Sequence, residues 1–266
     1  MMHQDSGIAG ITGKAFIITG GQRGIGFAFA CSLLKAGAKV GVLDLPEKPD
    51  TAFESVQKEY QDGCFYSRAD VTDQQSLYGA LETLSRSLGG IDGCVTAAGI
   101  CIDKPFEEHT WIDFQKQSSV NGAGTFFTVQ WVVERLKKAG KPGSILMIAS
   151  QAARHVCPGH LLAAYASSKG GVLAFARNLA VELAGNGIRV NTISPGYIAT
   201  EMNLSLARQR PELHEIFQNA PPLKRMGTVD DLIGGLLYLL SDSASYLTGV
   251  DLPIDGGMCV SVSNGR

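Results

Sequence analysis

Seven short runs rich in β-branched and apolar residues alternate with longer stretches of helical period, and this alternation constrains the fold more than any other feature of the chain. The runs are KAFIIT (14–19), KVGVLD (39–44), GCFYSR (63–68), IDGCVT (91–96), GSILMIA (143–149), IRVNTIS (188–194) and VDLPID (250–255). Their length and composition predict strands. Between them lie GIGFAFACSLLKAG, TDQQSLYGALETLSRSLGG, NGAGTFFTVQWVVERLKKAG, YASSKGGVLAFARNLAVELAGNG and VDDLIGGLLYLLSD, most of which close on the glycine that commonly stops a helix. Right-handed crossovers place such helices on both sides of a parallel sheet. The expected fold class is therefore α/β and doubly wound, a seven-stranded parallel sheet with helices on both faces.

No linker, repeat or low-complexity segment divides the chain, so residues 1–266 read as one domain. The longest piece outside the alternation is residues 201–227, mixed in polarity and ending near two prolines. It predicts one or two short helices over the sheet edge, serving either as a lid or binding loop or as a plain connector.

Charge and cysteine usage narrow the function classes. The formal charge is −2 with no basic run, which argues against nucleic acid as a partner. The first ten residues lack the charged-then-apolar pattern of a secretory signal, and no apolar run approaches a membrane span; a cytoplasmic protein without membrane partners is expected. Six cysteines, none in a CxxC pair, read as reduced core thiols. HVCPGH (155–160) offers candidate metal ligands, but no second cluster completes a tetrahedral site, so no metal is expected.

Chemistry concentrates at two places. After the first strand, TGGQRGIG (19–26) sets glycines at a strand-to-helix turn. There the backbone can approach a pyrophosphate while the helix N-terminus presents free N–H groups and its positive dipole end. Asp44 ends the second strand, eighteen residues beyond Gly26, where a carboxylate can accept both ribose hydroxyls of an adenosine and repel a 2′-phosphate. That favours NAD; Arg23, beside the turn, could instead pair with the phosphate of NADP. The second place is YASSKGG (165–171). Tyr165 and Lys169 are four apart, on one helix face, with small neighbours that leave both accessible. A phenol titrates near 10, so it serves as a base near neutrality only beside a positive charge such as Lys169 one turn away.

With these motifs, the chain resembles the short-chain dehydrogenase/reductase family from Gly13 to about Met258. Beside the TGxxxGxG turn, the resemblance is carried by ADV (69–71), TAAG (96–99), VNGAGTF (120–126), GSILMIAS (143–150), YASSK (165–169), RVNTISPGYIAT (189–200) and YLTGVDLPIDGG (246–257). It implies a Rossmann-like fold with a dinucleotide-binding half at about 13–140 and a catalytic and substrate half at about 141–258. It also implies a catalytic tetrad of Asn121, Ser150, Tyr165 and Lys169. In that scheme Ser150 orients the substrate oxygen, Lys169 holds the nicotinamide ribose, and Asn121 holds a water in a proton relay. The implied cofactor contacts are Gly20, Gln22, Arg23, Ile25, Gly26, Asp44, Asp70, Val71, Ala97, Gly99, Asn121, Tyr165, Lys169, Pro195, Gly196, Ile198 and Thr200. Asp70 and Val71 would meet the adenine, and Ile198 and Thr200 the carboxamide.

Two departures stand out. Thr96 and Ala97 replace the two asparagines usual in that motif, and fifteen residues separate Ser150 from Tyr165 where thirteen is commoner. The extra residues fall in a stretch expected to rim the substrate pocket, where Gln151, His155 and His160 are candidate contacts. The reading is an oxidoreductase interconverting a secondary alcohol and a ketone (a polyol–ketose pair, hydroxylated natural product, steroid or 3-oxoacyl group) with NAD, or NADP, as cofactor. Alternatives are a lyase or epimerase holding its cofactor tightly, and a non-catalytic dinucleotide-sensing regulator. Apolar helix faces in FFTVQWVV and VLAFARNLAVEL, on helices beginning near 110 and 160, imply by resemblance a homodimer or homotetramer.

Overall fold

The computed structural model describes residues 10–157 and 159–260. Its seven strands are β1 (Ala15–Thr19), β2 (Lys39–Asp44), β3 (Cys64–Arg68), β4 (Gly93–Thr96), β5 (Gly143–Ile148), β6 (Ile188–Pro195) and β7 (Asp251–Ile254). They form one parallel sheet in the order β3-β2-β1-β4-β5-β6-β7. Chain direction across the sheet reverses between β1 and β4. A doubly wound sheet opens a crevice at such a point, outside the carboxyl ends of the strands.

Each face of the sheet is sealed by its own helices. Alternate side chains of a strand point to opposite faces, and β1 divides accordingly. Ile17 packs with Leu77, Leu81 and Leu84 of α3 (Gln74–Leu88), with Val129 and Val132 of α5 (Gly124–Ala139), and with Val172 and Ala176 of α6 (Ala163–Leu183). Phe16 and Ile18 pack on the other face with Phe29 and Leu33 of α1 (Gly24–Lys35), Phe53 of α2 (Thr51–Glu59) and Leu236 and Leu239 of α9 (Ile233–Leu240). Because both faces are buried there, central strands such as β1 and β4 read as apolar runs, while the edge strands β3 and β7 are only partly buried.

Helix α2 was not evident from periodicity: it is short, Phe53 is its one buried residue, and it is started by Asp50, whose side chain accepts the Phe53 N–H at 2.9 Å. The helix expected near 110 begins at α4 (Trp111–Gln117) and runs through a π-helical turn, Ser118–Ala123, into α5. Residues 201–227 hold two helices, α7 (Glu201–Gln209) and α8 (Glu212–Asn219). They cover a small separate core of Cys157, Tyr197, Leu213, Phe217, Met226 and Met258. The segment closes where Gly227 bridges Ile198.

Candidate active site

The glycine turn is shaped by close approach. Gly20 has φ +66°, and a Cβ on it would stand 2.7 Å from the Cα of Ala98. A Cβ on Gly26 would meet the Gly20 carbonyl oxygen at 2.2 Å, so helix and turn pack at backbone distance. Arg23, the N-cap of α1, gives no side-chain cap, and no acidic residue sits in the first turn; the helix start keeps its N–H donors for an anion. Gln22 is buried, and its Oε1 has no partner among the described residues. Asp44 binds the turn directly, accepting the N–H of Gln22 at 3.1 Å and that of Leu45 at 2.8 Å. The Arg23 side chain is exposed.

At the neighbouring strand end, Thr19 fixes the TAAG segment: its carbonyl accepts the Ala97 N–H at 3.1 Å and its hydroxyl the Ala98 N–H at 3.1 Å. Thr96 is buried, with no partner for its hydroxyl among the described residues. Orphaned buried oxygens of this kind cost free energy until a ligand or water meets them. With one in the turn after β1 and one at the end of the adjacent β4, beside Gly20 and Gly26 where no Cβ fits, the residues fit a dinucleotide. Thr200 faces the same turn, its Cγ2 lying 3.8 Å from where a Gly24 Cβ would be. It precedes α7 without capping it, which leaves its hydroxyl for a ligand. Pro195 ends β6, and Gly196 is pressed against Asp255, where a Cβ would approach the Cα to 2.5 Å.

Asp70 and Ile25 do local structural work. The Asp70 carboxylate accepts the Thr72 N–H and hydroxyl at 2.9 and 2.7 Å, forming the turn into α3. Ile25 packs on the core beneath α1. Val71 wedges against the start of α5, its Cγ2 lying 2.8 Å from where a Gly124 Cβ would stand.

Asn121, Ser150, Tyr165 and Lys169 converge from three elements. The π-helical turn carries Asn121, whose Oδ1 accepts the Ile100 N–H at 2.9 Å; its Nδ2 donates to the Ile100 carbonyl at 2.9 Å and to Ser168 Oγ at 3.0 Å. Such a turn widens the helix by one residue and recurs at functional sites. Gly99 lies between Asn121 and Lys169: a Cβ there would stand 3.3 Å from Asn121 Oδ1 and 3.4 Å from Lys169 Nζ. Ser150 follows β5; its Oγ accepts the Ala152 N–H at 3.1 Å, and its hydroxyl lies beside the Tyr165 phenol.

The electrostatics differ from the simple expectation. Tyr165 is half-buried, but Lys169 is buried, with its Nζ donating to the Ile148 carbonyl at 2.7 Å. Burial pushes the Lys169 ammonium down to about 8. Burial also pushes the Tyr165 phenol well above its ordinary value, and the neighbouring Ser150 hydroxyl only partly offsets this. The protein's own residues thus keep Tyr165 protonated. The reason is geometric: the i,i+4 spacing puts both side chains on one face, but the lysine extends past the tyrosine to the end of β5.

Sequence reasoning did not foresee Asp103 or Arg210. The buried Asp103 carboxylate joins His160 in the β5–α6 loop to Arg210 between α7 and α8. Gln117 was also missed; its Oε1 accepts the Ile102 N–H at 3.0 Å, stapling the β4–α4 loop beside Asn121.

Comparison with known proteins agrees with this geometry. The family model described as Enoyl-(Acyl carrier protein) reductase matches residues 19–259. A 2,5-dichloro-2,5-cyclohexadiene-1,4-diol dehydrogenase of Sphingobium indicum is 33% identical over 252 residues, covering 95% of this chain and 98% of that protein. A solved short-chain type dehydrogenase/reductase from Mycobacterium marinum superposes with a TM-score of 0.89 at 34% identity, over 96% of this chain and 98% of the other. An NADPH-dependent 3-quinuclidinone reductase from Rhodotorula rubra superposes at 0.87 with 31% identity, over 98% of each chain.

Proposed function

The chain belongs to the short-chain dehydrogenase/reductase family, and from that premise we propose that it interconverts a secondary alcohol and a ketone, with Tyr165 moving the proton. One observation carries this reading: the Tyr165 phenol stands beside the Ser150 hydroxyl while Lys169 and Asn121 both reach Gly99, at the carboxyl ends of β4 and β5. When bound, the nicotinamide dinucleotide supplies hydride transfer at its C4 and, when oxidised, a positive charge.

The chain's residues do the rest. Ser150 and Tyr165 hold the substrate oxygen between two hydroxyls, so that a carbonyl accepts their hydrogen bonds and charge developing on that oxygen is stabilised. In reduction Tyr165 delivers its proton to the oxygen; in oxidation it takes the alcohol proton, which requires the phenol to be ionised. Lys169 lowers the cost of that ionisation as a buried cation and presents donors toward the ribose. Asn121 orders the Ile100 segment and connects Lys169 to solvent. The dinucleotide would be held by Gly20, Gln22, Arg23, Ile25, Gly26, Asp44, Asp70, Val71, Ala97, Gly99, Pro195, Gly196, Ile198 and Thr200, its pyrophosphate at the start of α1.

We read Asp44 as selecting NAD over NADP, because its carboxylate sits against the turn where a 2′-phosphate would be repelled. Arg23 and the NADPH dependence of the Rhodotorula rubra reductase point the other way. A panel of secondary alcohols and ketones assayed at 340 nm with NAD(H) and NADP(H) tests both parts. Turnover with a secondary alcohol and NAD supports the reading; no net change in bulk NADH with any substrate overturns it.

Among the described residues no helix is long and apolar enough to cross a membrane, and a cytoplasmic enzyme is our reading. Exposed Trp111, Phe114, Phe126 and Phe127 on α4 and α5, with Phe126 packed at a tilt of 32° against Phe175 of α6 at 4.9 Å, support assembly through these helices as a homodimer or homotetramer.

A further inference from the structure

The β5–α6 loop holds a histidine whose position is fixed on every side but one. His160 Nδ1 meets Asp103 Oδ2 at 2.5 Å, with side chains only 4% and 2% exposed. Asp103 Oδ1 accepts the Leu161 N–H at 3.2 Å and Arg210 Nη1 at 2.9 Å, and Arg210 Nη2 donates to the Gly159 carbonyl at 2.8 Å. The imidazole stacks with Tyr197 (5.5 Å, 25°) and Phe217 (5.4 Å, 17°), whose own rings lie 4.6 Å apart, so the three rings form one cluster. Ring plane, ring rotation and one nitrogen are thereby set. The other nitrogen, Nε2, is buried and has no partner among the described residues.

His160 lines a cavity of about 320 Å³ whose wall is otherwise mostly apolar, including Ala152, Cys157, Leu162 and Ala166. That wall adjoins the catalytic pair: the Ala152 N–H is bound to Ser150 Oγ, and Ala166 follows Tyr165 on α6. A buried imidazole nitrogen left unsatisfied costs on the order of 1–3 kcal/mol until something pairs with it. His155 in the same wall also has an unpartnered Nε2, but its Nδ1 meets only Cys259 Sγ at 3.7 Å, so no carboxylate fixes its tautomer. Among the described residues these side chains form no group that could hold a metal.

The tautomer decides what His160 can bind. A carboxylate only accepts, so Nδ1 carries the proton and Nε2 of the neutral ring presents a lone pair; if the ring is protonated, Nε2 donates. Asp103 stays ionised because the His160 hydrogen bond, the Leu161 N–H and the Arg210 charge outweigh the burial that would raise it. A hydroxyl is the group that satisfies Nε2 in either state, since it both donates and accepts.

We propose that His160 is a specificity-determining residue whose Nε2 hydrogen-bonds a second hydroxyl of the substrate, so that the preferred substrates are diols or hydroxyketones on a compact apolar skeleton. This deepens the proposed function and rests on it for placing the reacting hydroxyl at Tyr165 and Ser150. Nε2 is itself closed to water, so the substrate hydroxyl meets it only where a small shift of the cavity wall uncovers it. Asp103 is the positioning residue.

Cyclohexanol and the cyclohexane-1,2-, 1,3- and 1,4-diols are the probes, read both as kcat/KM with NAD and as calorimetric affinity for the NAD-loaded protein. In wild type at least one diol exceeds cyclohexanol by on the order of 100-fold, as expected where a site hydrogen-bonds a substrate hydroxyl. His160→Phe keeps the stacked ring without its nitrogens and collapses that preference to within about 3-fold while cyclohexanol turnover holds. Asp103→Asn weakens the preference without abolishing it. If His160→Phe does not fold, as judged by circular dichroism, His160→Leu takes its place. Equal handling of diols and cyclohexanol by wild type, or a full diol preference in a folded His160 variant, overturns the proposal. Absence of all turnover instead defeats the proposed reaction, and the calorimetric diol preference still decides the role of His160.

Discussion

The ammonium of Lys169 donates to the carbonyl of Ile148 at 2.7 Å, anchoring the middle of α6 to the last residue of β5. That bond sets where the lysine's charge lies, and it couples protonation of one side chain to the stability of the fold.

Burial pushes Lys169 down to about 8, against about 10.4 for a free lysine. Below pH 8 native and unfolded chains both carry the proton, and the penalty for burying it is constant. Between those two values the unfolded chain keeps a proton that the native chain has released, so stability rises with pH by up to about 3 kcal/mol. Urea denaturation of wild type and Lys169→Met from pH 7 to 10.5 should show wild type gaining on the variant across that window. A constant difference between them would contradict this.

Gly26→Ala places a methyl 2.2 Å from the Gly20 carbonyl oxygen, and backbone on both sides leaves nothing cheap to move. The expected loss is about 1–3 kcal/mol of stability together with weakened dinucleotide binding, read by urea denaturation and by fluorescence titration with NADH. Wild-type values for both would show that the turn is looser than its geometry implies.

Asp44→Ala removes the carboxylate that holds the Gln22 N–H at 3.1 Å. If Asp44 selects the coenzyme, wild type should prefer NAD, and the variant's ratio of kcat/KM for NAD to that for NADP should fall by at least about tenfold, as a lost like-charge repulsion implies. An unchanged ratio would shift the selection to Arg23.

Phe126 and Phe127 are exposed on α5 and lie edge-on at 5.3 Å. If these rings meet a second copy, sedimentation shows a dimer or larger species for wild type and a monomer for the double substitution of both by Asp. A monomeric wild type would remove the assembly from the account.

The inner strands could be located from sequence because they are largely buried on both faces, and the partly buried edge strands β3 and β7 because glycine-closed helices set them off. Helix α2 could not, since a helix burying only Phe53 leaves almost no periodic trace. The grouping of Ser150 with Tyr165 and Lys169 was implied by the family resemblance, and spacing alone placed only Tyr165 and Lys169 on one helix face. The direction of the Lys169 side chain did not, because an i,i+4 relation states which face two residues share and not which carbonyl an ammonium reaches. Asp103 was hidden for a different reason: its partners His160 and Arg210 stand 57 and 107 residues away, and no local pattern joins them.

The most direct measurement is the Tyr165→Phe variant, assayed at 340 nm with the best alcohol–ketone pair and titrated with NADH. The Tyr165 phenol stands beside the Ser150 hydroxyl, where a substrate oxygen would meet both. Its removal should lower kcat/KM by about 100- to 10,000-fold, the range for a lost general acid–base group, while NADH binding and the unfolding midpoint stay near wild type. Turnover within a few-fold of wild type would contradict the account at its centre.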